Sequence, residues 1–183
     1  MAIYRDEVYD RQSMKPAAGV VIELAVIVLL IALVRAFQPG LVLWLYVIVV
    51  ELLSTYLVHC PAHYLVGSAL GIRFRDMKLG RTALAKALPK SLSGVTRLVP
   101  ILTLVTDKST LARASRRRRA WMFASGTVAS SAAGLVGAAA ASLIVPQTFA
   151  PLAWALALAY LAFDAIFSPK SGDLMKARLA LGS

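Results

Sequence analysis

Four long apolar runs organise the chain, at residues 17–37, 41–70, 120–145 and 149–167. Each approaches or exceeds the roughly 20 residues that carry a helix across a hydrocarbon core, so each predicts a transmembrane helix. Only Gln38, Pro39 and Gly40 separate the first two runs, and the stretch from Pro146 to Pro151 turns the second pair. Links so short and uncharged make each pair an antiparallel hairpin. Residues 72–119 join the hairpins and hold two strand-like stretches. Ile72-Arg73-Phe74-Arg75 alternates, and residues 98–106 are rich in Leu, Val, Ile and Thr, with Pro100 assigning the latter to a sheet edge. The expected fold class is an all-α membrane protein: four transmembrane helices in two hairpins, with short β-strands in the loop between them. Residues 1–16 form an N-terminal segment and 17–183 a single membrane domain.

Composition strengthens this reading. Of 183 residues, 59% are apolar and 16% charged, and the mean hydropathy is +0.72; a water-soluble domain runs nearer half apolar and a quarter charged. No separate soluble catalytic domain is expected, because the four runs take up roughly half of one domain's length. The net charge of +11 is placed as tellingly as it is large: residues 72–119 hold 13 Lys or Arg against 2 acids, and the rest of the chain holds 7 of each. Basic short loops stay in the cytoplasm, so this loop and both termini are expected there, in the plasma membrane. Arg116, Arg117, Arg118 and Arg119, directly before the third run, then read as an anchor to the anionic surface of the lipid bilayer, at roughly 1 kcal/mol per residue. No nucleic-acid partner is expected. The single cysteine, Cys60, excludes an intrachain disulfide. Arg5, Arg11 and Lys15 are balanced by Asp6, Glu7 and Asp10, a poor signal-peptide start, so the first run is expected to be retained.

The third run is thin in bulk. Gly126, Ser130, Gly134 and Ala138 recur every four residues, a stripe that admits another helix backbone closely, so this helix is expected in the middle of the bundle.

Polar residues inside the runs carry the chemistry, since an ionisable group in hydrocarbon is costly without a reason. Glu23 and Asp164 are isolated acids, while the second run holds Glu51, His59 and His63. The two histidines stand at i and i+4, one above the other on one helix face, which is the spacing that lets two imidazoles bind one zinc. Pro61 between them removes a donor and frees the carbonyl of Leu57, so the helix is expected to kink at the pair. A third ligand is available in Asp173, in Ser168-Pro169-Lys170-Ser171-Gly172-Asp173, where a Pro and Gly break follows the fourth run. His63 precedes the basic loop by roughly 14 Å of helix, and the fourth run ends on the same side, so the three side chains can meet at one depth. The plain alternative is that the histidines only hydrogen-bond to neighbouring helices.

The stretch His59-Cys60-Pro61-Ala62-His63-Tyr64-Leu65-Val66-Gly67, continuing through Leu70-Gly71-Ile72-Arg73-Phe74, resembles the H-E-x-x-H helix and following strand of the site-2 protease family of intramembrane zinc metalloproteases. Gly126-Thr127-Val128-Ala129-Ser130 is similar to that family's Gly-Pro-x-x-Asn pattern, and the segment ending in Asp173 to its Asn-Pro…Asp-Gly pattern. The resemblance implies zinc at His59, His63 and Asp173. It also exposes departures: the general-base Glu is replaced by Cys60, and the Asn by Ser130. A thiol cannot shuttle a proton as a carboxylate does, and Glu51, about 12 Å along the helix from His59, is too far to substitute. The expectation is a site-2-protease-like protein, proteolytically inactive, that binds a transmembrane partner or serves in a larger membrane complex. An active intramembrane endopeptidase and a purely structural subunit without metal are the alternatives.

Overall fold

The computed structural model describes residues 12–80 and 101–182. Strand β1 (Gln12–Met14) leads into helix α1 (Pro16–Leu33), extended by a 3-10 turn over Val34–Ala36. Helices α2 (Leu41–Leu57) and α3 (His59–Ala69) follow, then strands β2 (Phe74–Gly80) and β3 (Ile101–Thr106). The remaining helices are α4 (Lys108–Arg113), α5 (Arg116–Ala141), α6 (Ala150–Ser171) and α7 (Asp173–Gly182). Four stretches are long and apolar enough to cross a membrane: Pro16–Ala36, Leu41–Ala69, Arg116–Ala141 and Ala150–Lys170. They form two helix pairs, with a small antiparallel sheet beside the connection.

The second span is two helices. The break falls at Val58, where Pro61, lacking an N–H, leaves the Leu57 carbonyl without its helical partner. Gly71, at φ +80°, then ends α3. The Ile72 amide donates to the Gly67 carbonyl at 2.8 Å and the Gly71 amide to Ser68 at 3.0 Å, a Schellman closure that turns the chain from the span into β2. Ile72, 1% exposed, anchors this turn. The strand therefore starts at Phe74, two residues later than the alternation from Ile72 suggests, and runs on to Gly80.

The sheet order is β1-β2-β3, so β3 is an edge. One strand comes from the segment before the first span: Gln12, Ser13 and Met14 pair with Leu79, Lys78 and Met77. Residues 1–11 of that segment, and residues 98–100 of the expected strand with Pro100, lie outside the described residues. Gly19 on α1 packs onto Met77, which is fully buried, and so ties the first span to the sheet.

Helix α5 lies in the middle, against α2, α3, α6 and α7. At one end Leu43, Val47 and Ile48 of α2 meet Ala138 and Ala141 of α5 and Ala153 and Ala157 of α6 in an apolar cluster. Large apolar side chains such as Val28, Leu29, Leu158 and Phe163 face outward on α1 and α6, as a bilayer requires.

Candidate metal centre

His59 and His63 sit on the first turns of α3, just beyond the break, and their rings stand edge to face with centroids 4.7 Å apart. Asp173 arrives from the other hairpin. Helix α6 runs through Pro169 and unwinds at Gly172, whose backbone is extended, so Asp173 opens α7. Ser168 fixes that corner: its hydroxyl accepts from the Leu174 amide at 3.2 Å and meets Thr127 of α5 at 3.3 Å. A Cβ on Gly172 would crowd the same hydroxyl at 2.8 Å, so only glycine fits the turn.

The ligand atoms converge. Asp173 Oδ2 lies 2.9 Å from His59 Nε2 and 3.0 Å from His63 Nε2, and the two nitrogens are 3.2 Å apart. A tetrahedron of zinc bonds about 2.05 Å long has edges of about 3.3 Å, so this triangle is slightly tighter than a metal-filled one. The set is half-enclosed, with side-chain exposures of 33% for His59, 12% for His63 and 15% for Asp173.

The other ring nitrogens decide what the triangle holds. His63 Nδ1 is 2.6 Å from the Met122 carbonyl, which can only accept, so Nδ1 carries the proton. In the neutral ring Nε2 is then bare and points its lone pair at a carboxylate oxygen and at a second imidazole nitrogen. One proton on His59 Nε2 can satisfy only one of these neighbours. A cation between the three atoms satisfies all of them, and a carbonyl-bound Nδ1–H is the usual way a protein orients a ligating histidine. His59 Nδ1 pairs with the Ser130 hydroxyl at 3.2 Å. Asp173 keeps its second oxygen on Lys176 Nζ at 2.8 Å. Burial alone would push the Asp173 carboxyl up, but its close contacts with the His59 and His63 imidazoles, helped by Lys176, hold it far below the usual carboxylate range.

Among the described residues, His59, His63 and Asp173 form the one group of His, Cys, Asp or Glu able to share an ion. Cys60 is not in it: its thiol donates to the Leu102 carbonyl of β3 at 3.2 Å and so faces the sheet. Ser130 is fully buried beneath His59. Gly126 forms the floor, since a Cβ there would overlap His63 Nε2 and come within 2.8 Å of His59 Cε1. Gly134, just over two turns further along, faces Thr55 and Ala157 at ordinary contact distances. The isolated acids go elsewhere: Asp164 accepts from Ser131 at 3.0 Å, Glu51 packs on Gly137, and Glu23 is buried on α1. Arg116, Arg117 and Arg118 are exposed on the first turn of α5, where positive charge opposes the helix dipole; their placement does nothing for the helix itself.

The sequence assigns no role to Met122, Ser168 or Lys176, nor to Ser125, whose hydroxyl donates to the Met122 carbonyl at 2.8 Å beside His63 Nδ1. Main-chain acceptors such as the Met122 carbonyl leave no signal in a sequence. Lys176 does, since i,i+3 pairing with Asp173 is readable once α7 is seen as a helix.

Fold and site together define a multi-pass helical membrane protein with a His/His/Asp cluster able to coordinate a divalent metal ion. Compared with protein-family models, curated proteins and solved structures, the chain matches none of them.

Proposed function

We propose that this is a site-2-protease-like membrane protein that holds zinc at His59, His63 and Asp173 and engages a transmembrane partner, or a larger membrane complex, without cutting it. The observation that carries the metal is the His63 Nδ1 to Met122 carbonyl bond, which commits Nε2 to an acceptor-rich triangle. Zinc would be held by both Nε2 atoms and a carboxylate oxygen of Asp173, and when bound it supplies Lewis-acid polarisation. The remaining residues supply little acid–base chemistry. Cys60 stands where the resembling family has its base and turns to β3, and neither Glu23 nor Glu51 joins the group around the imidazoles. Ser130, at the family's Asn position, is occupied in orienting His59.

The test is metal analysis of detergent-purified protein. About one zinc per chain is expected, lost in His59→Ala and in Asp173→Ala; absence of stoichiometric metal from the unmodified protein would leave a purely structural subunit. A cleavage assay on single-span substrates separates the non-cutting reading from the active endopeptidase.

The basic loop, with Arg116 to Arg119 as its lipid anchor, is proposed to face the cytoplasm together with both termini, in the plasma membrane. Ala112→Cys in a Cys60→Ser background should resist an impermeant maleimide applied to intact cells. Ready labelling from outside inverts the topology.

A further inference from the structure

A second concave site lies at the foot of the first hairpin, apart from the His–His–Asp cluster. It is a cavity of about 530 Å³ lined by Lys15, Pro16 and Ala17 on one side and by Tyr64, Ser68 and the turn from Gly71 to Phe74 on the other. Its two cations among the described residues, Lys15 and Arg73, are exposed, and no acid among the described residues lines it. Arg73 is held by its main chain rather than its head group: its amide donates to Thr110 Oγ1 at 3.0 Å and its carbonyl accepts from the Asp107 amide at 2.8 Å. The guanidinium is left available, with no ion pair to it among the described residues.

Depth identifies the occupant. The first span begins at Pro16 and the second ends at Ala69, so the cavity sits where two spans leave the hydrocarbon. Tyr64 pairs with Phe74 at 5.6 Å in its wall, an aromatic with a polar tip at the level where such residues favour the interface. Above it, Val21 on α1 and Leu65 on α3 are exposed apolar surface, and α1 packs against α3. The first-turn amides of α1 at Ala17 and Ala18 precede any intrahelical acceptor and add partial positive charge. We propose that this cavity binds the phosphate of an anionic phospholipid headgroup between Lys15 and Arg73, with the acyl chains leaving along the α1 and α3 surfaces.

The full chain in neutral detergent is titrated with dioctanoyl phosphatidylglycerol, and binding is followed by native mass spectrometry and thermal melting. Saturable binding is expected, with dioctanoyl phosphatidylcholine much weaker. At roughly 1 kcal/mol per cation, Lys15→Gln with Arg73→Gln should weaken it about 30-fold, and Arg73→Gln alone about 5-fold. The charge-keeping pair Lys15→Arg and Arg73→Lys should retain it. Equal affinity for phosphatidylcholine, unchanged affinity in Arg73→Gln, or saturation of the same site by inorganic phosphate at the lipid's concentration would each overturn the assignment.

Discussion

The two ends of α5 use small residues for different purposes. Toward the apolar cluster, Gly134, Ala138 and Ala141 let α2 and α6 approach, and what fills the space is side-chain bulk from Leu43, Val47 and Ile48. Toward the basic loop, Gly126 makes room for two imidazoles, and what fills the space is polar and directed: Ser130 on His59, Met122 on His63, Asp173 across from both. The first kind of packing tolerates small errors because its contacts are non-directional. The second does not, since a ligand nitrogen displaced by an ångström no longer meets its metal. One four-residue repeat thus covers a structural half and a chemical half.

The largest expected effect breaks this contrast at its sharpest point. Gly126→Ala places a methyl on His63 Nε2, and zinc affinity should fall by more than about 100-fold, beyond the 10–100-fold that loss of a supporting contact costs. Gly134→Ala meets only ordinary contacts at 3.5 Å and beyond, so zinc content and melting temperature should both survive. Zinc titration of the two purified variants measures the difference; equal behaviour would mean that the repeat has a single function. Gly134→Leu comes next, and here stability rather than chemistry should suffer. Thr55 and Ala157 leave no room for a branched side chain, so overpacking should cost about 1–3 kcal/mol, while the folded fraction keeps its zinc. Unchanged thermal stability would count against close packing there. Ser130→Ala should weaken zinc by roughly 10-fold through loss of the His59 Nδ1 partner, with little change in melting of the metal-free protein.

The spans and the histidine pair were legible because each rests on a strong periodic or spacing signal, whereas Asp173 was reached only through the Pro and Gly break after the fourth run and a short motif resemblance. Four runs of apolar residues have few alternatives in water or lipid, and His59 and His63 share a face on any helix. The break at Val58 follows from Pro61 alone. The strand at Gln12–Met14 was not legible, since three residues without apolar alternation become a strand only by pairing with β2. Helix α7 was missed for a related reason: Asp173 to Gly182 has no strong apolar face and is held by packing on α5. Gly126 illustrates a deeper limit. Its place in the repeat was visible, but that it yields to imidazoles and not to backbone depends on the rotation of α3 about its own axis.

Cys60 offers the smallest expected effect in one direction and a gain in the other. A residue next to a ligand on a helix points about 100° away from it, and the Val58 break does not bring the thiol round: Sγ donates to the Leu102 carbonyl of β3. Cys60→Ala should therefore leave zinc content unchanged, at the cost of one weak hydrogen bond between the span and the edge strand, about 0.5–1.5 kcal/mol of stability. Zinc lost from Cys60→Ala would make the thiol a fourth ligand and rule out an open position. Cys60→Glu asks the converse question. It puts a carboxylate at the position of the resembling family's base while keeping His59, His63 and Asp173, so the variant should retain zinc and gain hydrolysis of single-span substrates that the unmodified protein leaves intact. Should Cys60→Glu bind zinc and still cut nothing, Cys60 would not be what holds the chemistry back, and the use of Ser130 in orienting His59 would be the next obstacle to remove.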